Sequence, residues 1–333
     1  MSLRKVLITG GAGFIGSTVA SACLDAGIEP VLLDDLSVGR REFVAGRVFY
    51  EGGIADAALI DRIVDEHPDI AAVVHCAARI VVPQSLAEPL AYYDNNVVGT
   101  LRLVQHLLRH RIHRFLFSSS ASIYQPGADL SVDEFSPLAP SSPYARTKAM
   151  AEQILTDVAE ATELRVLSLR YFNPIGADPQ LRTGLQIMAP THALGRLITA
   201  HSTGEPFTIT GTQWPTRDGS GIRDFVHVWD LARAHVSALQ RFDAVMAGET
   251  HLAINLGTGN GTTVRELIKA FQDVTGSGLT VLEGPPRPGD VVGCYTRTAR
   301  AVELLHWRGE KSLADGVRDA LAWAQRRRTV LGA

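Results

Sequence analysis

Short apolar runs alternate with stretches of helical spacing through the first half of the chain: KVLITG (5–10), EPVLLDD (29–35), GRVFYEG (46–52), AAVVHCAA (71–78), RFLFSSS (114–120) and RVLSLRYFN (165–173). Runs this short and this uniformly apolar suit strands covered on both faces, which lack a solvent side where polar residues would alternate. Strands separated by helices predict right-handed βαβ units, hence an α/β fold with a doubly wound parallel sheet. Over 142–158, Ala151, Ile154, Leu155 and Val158 fall at the spacing of a buried helical stripe. Tyr144 and Lys148 share that face, a phenol and an ammonium one turn apart where apolar side chains belong.

After Pro174 the alternation breaks. Residues 174–222 are rich in Gly, Pro and Thr (NPIGADPQLRTG, TQWPTRDGSG), the composition of loops that build a cleft. Regularity returns with INLGTG (254–259) and the helix TVRELIKAFQDVTG, where Thr263 and Glu266 have the spacing of a capping box. Residues 1–174 are therefore expected to form the sheet domain and 175–333 a smaller α/β ligand-binding domain. Residues near 223–259 are expected to interleave with the first.

With 333 residues, 46% hydrophobic and 20% charged, the chain can bury a large core. A net charge of −3 gives no basic field for nucleic acid or an anionic membrane, so the expected partner is a small molecule. MSLRKVLITGG holds one short strand where a signal peptide would need a longer apolar run, and no run approaches ~18 apolar residues, which predicts a cytoplasmic protein. Cys23, Cys76 and Cys294 are widely spaced and without CxxC, fitting a reduced compartment and neither a disulfide framework nor a zinc site.

LITGGAGFIGS sets Gly10, Gly13 and Gly16 directly after a strand and at a helix start. Glycines there permit a tight turn and close backbone approach, and the helix N-terminus offers free N–H groups to a pyrophosphate. A glycine turn without ligand is the alternative. Asp34, at the end of the next strand, argues against it, because a carboxylate about 20 residues on can accept from a ribose diol. It would repel a 2′-phosphate, favouring NAD over NADP, although Arg40 and Arg41 follow closely. A free tyrosine titrates near ~10, so Tyr144 as a base at neutral pH needs a cation beside its phenolate. Lys148 supplies one, and the serines of FSSSASIY, at a strand's C-terminal end, supply a hydroxyl to orient a substrate.

These segments, with HCAA, YYDNNVVGTL, PYARTK, LRYFNPIGA, WPTRDGSGIRDFVHVWDLA and PPRPGD, make the chain resemble the extended short-chain dehydrogenase/reductases over essentially its whole length, and most of all the UDP-glucose 4-epimerases. The resemblance implies a Rossmann-type sheet, tightly bound NAD, and exchange of UDP-glucose with UDP-galactose through a 4-keto intermediate. It implies Ser120, Tyr144 and Lys148 as catalytic residues. Around the cofactor it places Gly10, Gly13, Phe14, Ile15, Gly16, Asp34, Ala77, Ala78, Asn96, Ser118 and Tyr171, together with Tyr144 and Lys148. Around the UDP-sugar it places Ser120, Asn173, Arg223, Arg287, Asp290 and Cys294. It also implies a homodimer through helices near 92–110 and 143–160, and no metal.

Two positions depart from the family pattern. Gly53 stands where an acid near the adenine is usual, and Cys294 stands where epimerases restricted to non-acetylated sugars carry a Tyr, so acceptance of UDP-N-acetylglucosamine is expected. Other readings are a nucleotide-sugar dehydratase, which needs an acid pair beside the serine that SSSASIY lacks, a UDP-uronate epimerase, and a non-catalytic dinucleotide sensor. His106, His110 and His113 have metal-like spacing but lie opposite an apolar stripe of Leu101, Val104 and Leu108, which reads as a solvated face. His227 and His235 read as structural.

Overall fold

A computed structural model describes residues 4–287 and 290–332, so Pro288 and Gly289 of the PPRPGD segment lie outside the described residues. β1 (Lys5–Thr9), β2 (Glu29–Asp34), β3 (Val48–Glu51), β4 (Ile70–His75), β5 (Arg114–Ser120), β6 (Arg165–Tyr171) and β7 (His251–Leu256) form one parallel sheet. The order is β7-β6-β5-β4-β1-β2-β3. The strands alternate side chains between two cores, as the two-residue period demands. In β1, Val6 and Ile8 join one core with Leu32 and Leu116, while Leu7 joins the other with Val31 and Phe115. The order reverses between β1 and β4, which opens a crevice at the carboxyl ends of the strands.

Helices α1 (Phe14–Asp25), α2 (Ala57–Glu66), α3 (Gly99–Arg109) and α4 (Pro143–Ala161) come from the first half, and α5 (Ala193–Thr203), α6 (Val228–Val245), α7 (Val264–Thr275) and α8 (Leu313–Leu331) from the second. α1 and α6 cover one face of the sheet through Val19, Leu231 and Phe242; α2, α3 and α4 cover the other through Ile60, Leu103 and Leu155. α3 buries Leu103, Val104 and Leu107, not the stripe of Leu101, Val104 and Leu108 that its sequence suggests. A π turn at Asp94–Val98 runs directly into it; the leucines of the helix offer two faces of helical spacing, and packing on the sheet core selects the one with Leu103 and Leu107.

The second unit has its own core of Ile175, Leu197, Phe207, Phe225, Phe271 and Val317. There Thr263 caps α7 reciprocally with Glu266, as the spacing predicts. The chain then crosses back: Phe225–His227 pairs with Asn173–Ile175, α6 packs on α1, and β7 forms the edge of the large sheet beside β6. No helix among the described residues is long and apolar enough to cross a membrane.

Candidate active site

The turn after β1 is built so that only glycine fits. Gly10 has φ +69°, and a Cβ there would lie 2.6 Å from the Ala77 nitrogen; a Cβ on Gly16 would lie 2.2 Å from the Gly10 carbonyl oxygen. Gly13 caps α1 without a side-chain acceptor, and the first turn holds no acid, so its N–H groups face outward unpaired. Phe14 and Ile15 are half-buried beside them. Asp34, at the end of β2, receives the Ala12 N–H on Oδ2 at 3.0 Å and the Leu36 N–H on Oδ1 at 2.8 Å. Burial pushes its pKa up, yet both oxygens keep lone pairs for a diol. Arg41 pairs with Glu51 and lies over Phe49, and so is not free for a 2′-phosphate. A side chain at Gly53 would meet open space.

Ser142 caps α4 by accepting from the Ala145 N–H at 3.1 Å, which fixes Tyr144 in the first turn and Lys148 one turn on. Lys148 is 4% exposed. Its Nζ donates to the Ser118 carbonyl at 2.6 Å and lies 4.8 Å from the Phe117 ring centre. Burial lowers its pKa to about 8. Burial also raises the Tyr144 phenol, and the group that pulls it back is the Ser120 hydroxyl. Lys148 thus aims its ammonium at the end of β5, while Ser120 is the hydroxyl next to Tyr144. Ser120 Oγ in turn lies 2.9 Å from Ser122 Oγ.

Ala77 and Ala78 lie in the loop after β4, beside the glycine turn. Asn96, expected on the nicotinamide side, clamps that loop. Its Oδ1 accepts from the Arg79 N–H at 2.8 Å, and its Nδ2 donates to the Arg79 carbonyl and to Thr147 of α4, each at 3.0 Å. The π turn is what aims it there. Ser118 and Tyr171 are likewise turned inward: their hydroxyls meet at 2.7 Å, Ser118 also reaches the Cys76 sulfur, and Tyr171 bonds His235. His235 holds the Leu231 carbonyl at 2.8 Å through Nδ1, and burial lowers its pKa to about 4. These side chains form the scaffold beneath the crevice.

At the other end, Asn173 starts the short strand that pairs with Phe225. The Arg223 fork latches the neighbouring segment, donating to the Ile222, Val291 and Val292 carbonyls. Arg287 is half-exposed and forms a fork with Asp290. Arg223 lies near the neutral Cys294 thiol and the charged Asp290 and Arg287, which brings these four together. Cys294 packs against a buried patch of Ala121, Ile123, Tyr124 and Phe172, directly after Ser120 in sequence and space. His110 and His113 bond different carboxylates, Asp61 and Glu163, and no metal-ligand cluster occurs among the described residues. Sequence reasoning missed His192, which caps α5 and is held neutral by burial, and the buried Arg170–Glu152 pair under α4. The pair has no local pattern, because it joins a strand to a helix, whereas His192 acts locally on the Gly195 N–H but is not among the residue types that signal a cap.

A glycine turn with no room for side chains, a buried carboxylate at the end of the next strand and a Ser, Tyr and Lys near one another on a doubly wound sheet make the frame of a nucleotide-binding fold, and residues 6–257 match the NAD dependent epimerase/dehydratase family. The chain belongs to that family. Within it the chain is 42% identical over 322 residues to the UDP-glucose 4-epimerase of Azospirillum brasilense, covering 96% of this chain and 91% of the relative. It is also similar in structure to the Stenotrophomonas maltophila UDP-glucose 4-epimerase, crystallised with NAD and formylated UDP-arabinopyranose, with a TM-score of 0.91, 32% identity and coverage of 98% of this chain and 99% of that one. The Bifidobacterium longum UDP-glucose 4-epimerase, in complex with NAD+ and UDP, gives a TM-score of 0.90 at 32% identity, covering 97% of this chain and 98% of that one.

Proposed function

We propose that this chain is a UDP-hexose 4-epimerase that interconverts UDP-glucose and UDP-galactose through a 4-keto sugar. The observation that carries the reading is the placing of Ser120 at the carboxyl end of β5 and of Tyr144 and Lys148 in the opening turns of α4, with Lys148 Nζ on the Ser118 carbonyl at 2.6 Å. Gly10, Gly13 and Gly16 fit a pyrophosphate, since any Cβ at Gly10 or Gly16 would fill the cradle, and Asp34 suits a ribose diol. NAD, when bound, supplies a hydride acceptor and donor at sugar C4 and a positive ring beside Tyr144.

The chain's own residues do the rest. Ser120 holds the sugar O4, and Tyr144 takes its proton and later returns one. Burial makes the phenol a poor acid, so the base form depends on positive charge nearby; Lys148, one turn along α4, and the nicotinamide ring, when bound, are the candidates. Inversion requires the keto sugar to offer its other face while the nucleotide stays fixed. Arg287 and Arg223, with Asn173 and Asp290, anchor the charged nucleotide end, whereas the hexose end meets Cys294 and the apolar patch around Phe172. Binding energy placed away from the reacting carbon permits that turn. A dehydratase would need free acids by the serine; Glu134 and Glu152 are engaged with Asn255 and Arg170.

The small Cys294 side chain supports acceptance of the N-acetylated sugar as well. The expected assembly is a homodimer, supported by Val98 and Met150, 44% and 46% exposed on adjoining helices. Sedimentation of Met150→Glu should then show a monomer; an unchanged oligomer removes this surface from consideration. The three unpaired cysteines support a cytoplasmic setting. The deciding experiment incubates purified protein, without added coenzyme, with UDP-glucose or UDP-N-acetylglucosamine and resolves the C4 epimers. Conversion at constant nicotinamide absorbance supports the proposal, and retained NAD without either epimer refutes it.

A further inference from the structure

Arg170 of β6 sits buried under α4, with its side chain 7% exposed. Its fork grips Glu152, Nε to Oε1 at 3.0 Å and Nη2 to Oε2 at 2.6 Å. The remaining arm, Nη1, donates to the Tyr124 hydroxyl at 2.7 Å and the Glu134 carbonyl at 3.2 Å. The Tyr124 hydroxyl donates a hydrogen bond to Asn255 Oδ1 of β7 at 2.6 Å, and Glu134 Oε1 accepts the Asn255 N–H at 2.8 Å. Ser119, Arg170 and Asn255 are register partners across β5, β6 and β7, so the cluster spans three strands on one face.

Its position is informative. Glu152 lies one helical turn beyond Lys148, and Tyr124 closes the short turn Ala121–Ile123 that follows Ser120. One guanidinium therefore ties the segment carrying the serine to the helix carrying the tyrosine and lysine. Lysine could not do this, since a point charge on a flexible stem lacks a planar fork with donors in two directions. A buried ion pair is also a poor source of stability, because apolar residues of similar volume often do as well.

We propose that Arg170 is a positioning residue: through Glu152 and Tyr124 it holds Ser120 at the distance from Tyr144 and Lys148 that proton transfer requires. The inference rests on the epimerase reading for its kinetic test, but not for its spectroscopic one. The groups facing Lys148 are His75 and Cys76 at the end of β4, the Ser118 carbonyl and Phe117 ring of β5, and Glu152 on its own helix.

The test compares wild type, Arg170→Met/Glu152→Leu and Tyr124→Phe as NAD-bound proteins. The double variant removes both charges, so native-like thermal stability is expected. Its kcat with UDP-glucose should fall about tenfold or more with KM within about twofold, the split for an interaction realised only in the transition state. Ultraviolet titration of the Tyr144 phenol, by difference from Tyr144→Phe, should move up by about one pH unit, a tenfold change in its ionisation constant. A stable double variant with unchanged kcat and phenol titration overturns the proposal. If the double variant does not fold, Tyr124→Phe decides: it keeps the ion pair, and a fall in kcat at constant KM supports the role, while native kcat overturns it. Failure of wild type to turn over UDP-glucose counts against the epimerase reading alone, since the phenol titration still reports on the clamp.

Discussion

Tyr144 is the residue on which the proposed chemistry turns, and its surroundings make it a weaker acid than a free phenol. Tyr144→Phe should fold, retain NAD and lose at least ~100-fold in kcat, the scale of acid-base catalysis; epimer formation at near-native rate would refute the assignment. Cys294→Tyr should preserve turnover of UDP-glucose and abolish that of UDP-N-acetylglucosamine, measured side by side by chromatography. At this scale much of the site is legible in the sequence, because the glycine turn and the Tyr-Lys spacing are local patterns. What stays hidden is where each polar atom points. Asn96, Ser118 and Arg223 sit in the expected region, but their hydrogen bonds go to Arg79, Tyr171 and neighbouring carbonyls, contacts made across 17, 53 and up to 69 residues.

Elements carry the next level of constraint. α1 begins at a turn with no room for a side chain, so Gly16→Ala must displace the Gly10 carbonyl and with it the first-turn N–H groups. Loss of copurifying NAD, read from the absorbance of the heat-released cofactor, is the expected result. α7 depends on its reciprocal cap, and Thr263 also donates to Asp218 in the loop 212–220. Thr263→Ala should lower unfolding free energy by about 1–2 kcal/mol in urea, from the lost cap and the Asp218 acceptor left behind. The strands and α4 could be read from periodicity alone. α3 could not be phased, because Leu101, Leu103, Val104, Leu107 and Leu108 offer two apolar faces of helical spacing, and the Arg170–Glu152 pair joins a strand to a helix with no spacing rule between them.

At the scale of the whole molecule, buried neutral histidines set the acid limit. Burial takes His75 to about 3, and His192 and His235 to about 4, against an unfolded value of 6.5. Between those values the unfolded chain binds protons that the folded chain refuses, so stability is intact above pH 6.5 and falls as the pH drops toward 4. Each group steepens the fall by about 1.4 kcal/mol per pH unit. The thermal midpoint should therefore decline below pH 6.5, and His75→Gln, which can still bridge Thr9 and Thr100, should make the decline shallower by one proton's share. The return of the chain to its first sheet could be anticipated from INLGTG, whereas the packing of α6 on α1 follows from no local signal. That return has a bearing on synthesis. A ribosome that has released residues 1–174 has made six of the seven strands, yet β6 still shows a naked edge and α1 lacks the helix that shields its side of the core. The nascent chain must wait for some eighty more residues before α6 and β7 close both gaps, and throughout that interval its apolar face is a natural client for a chaperone.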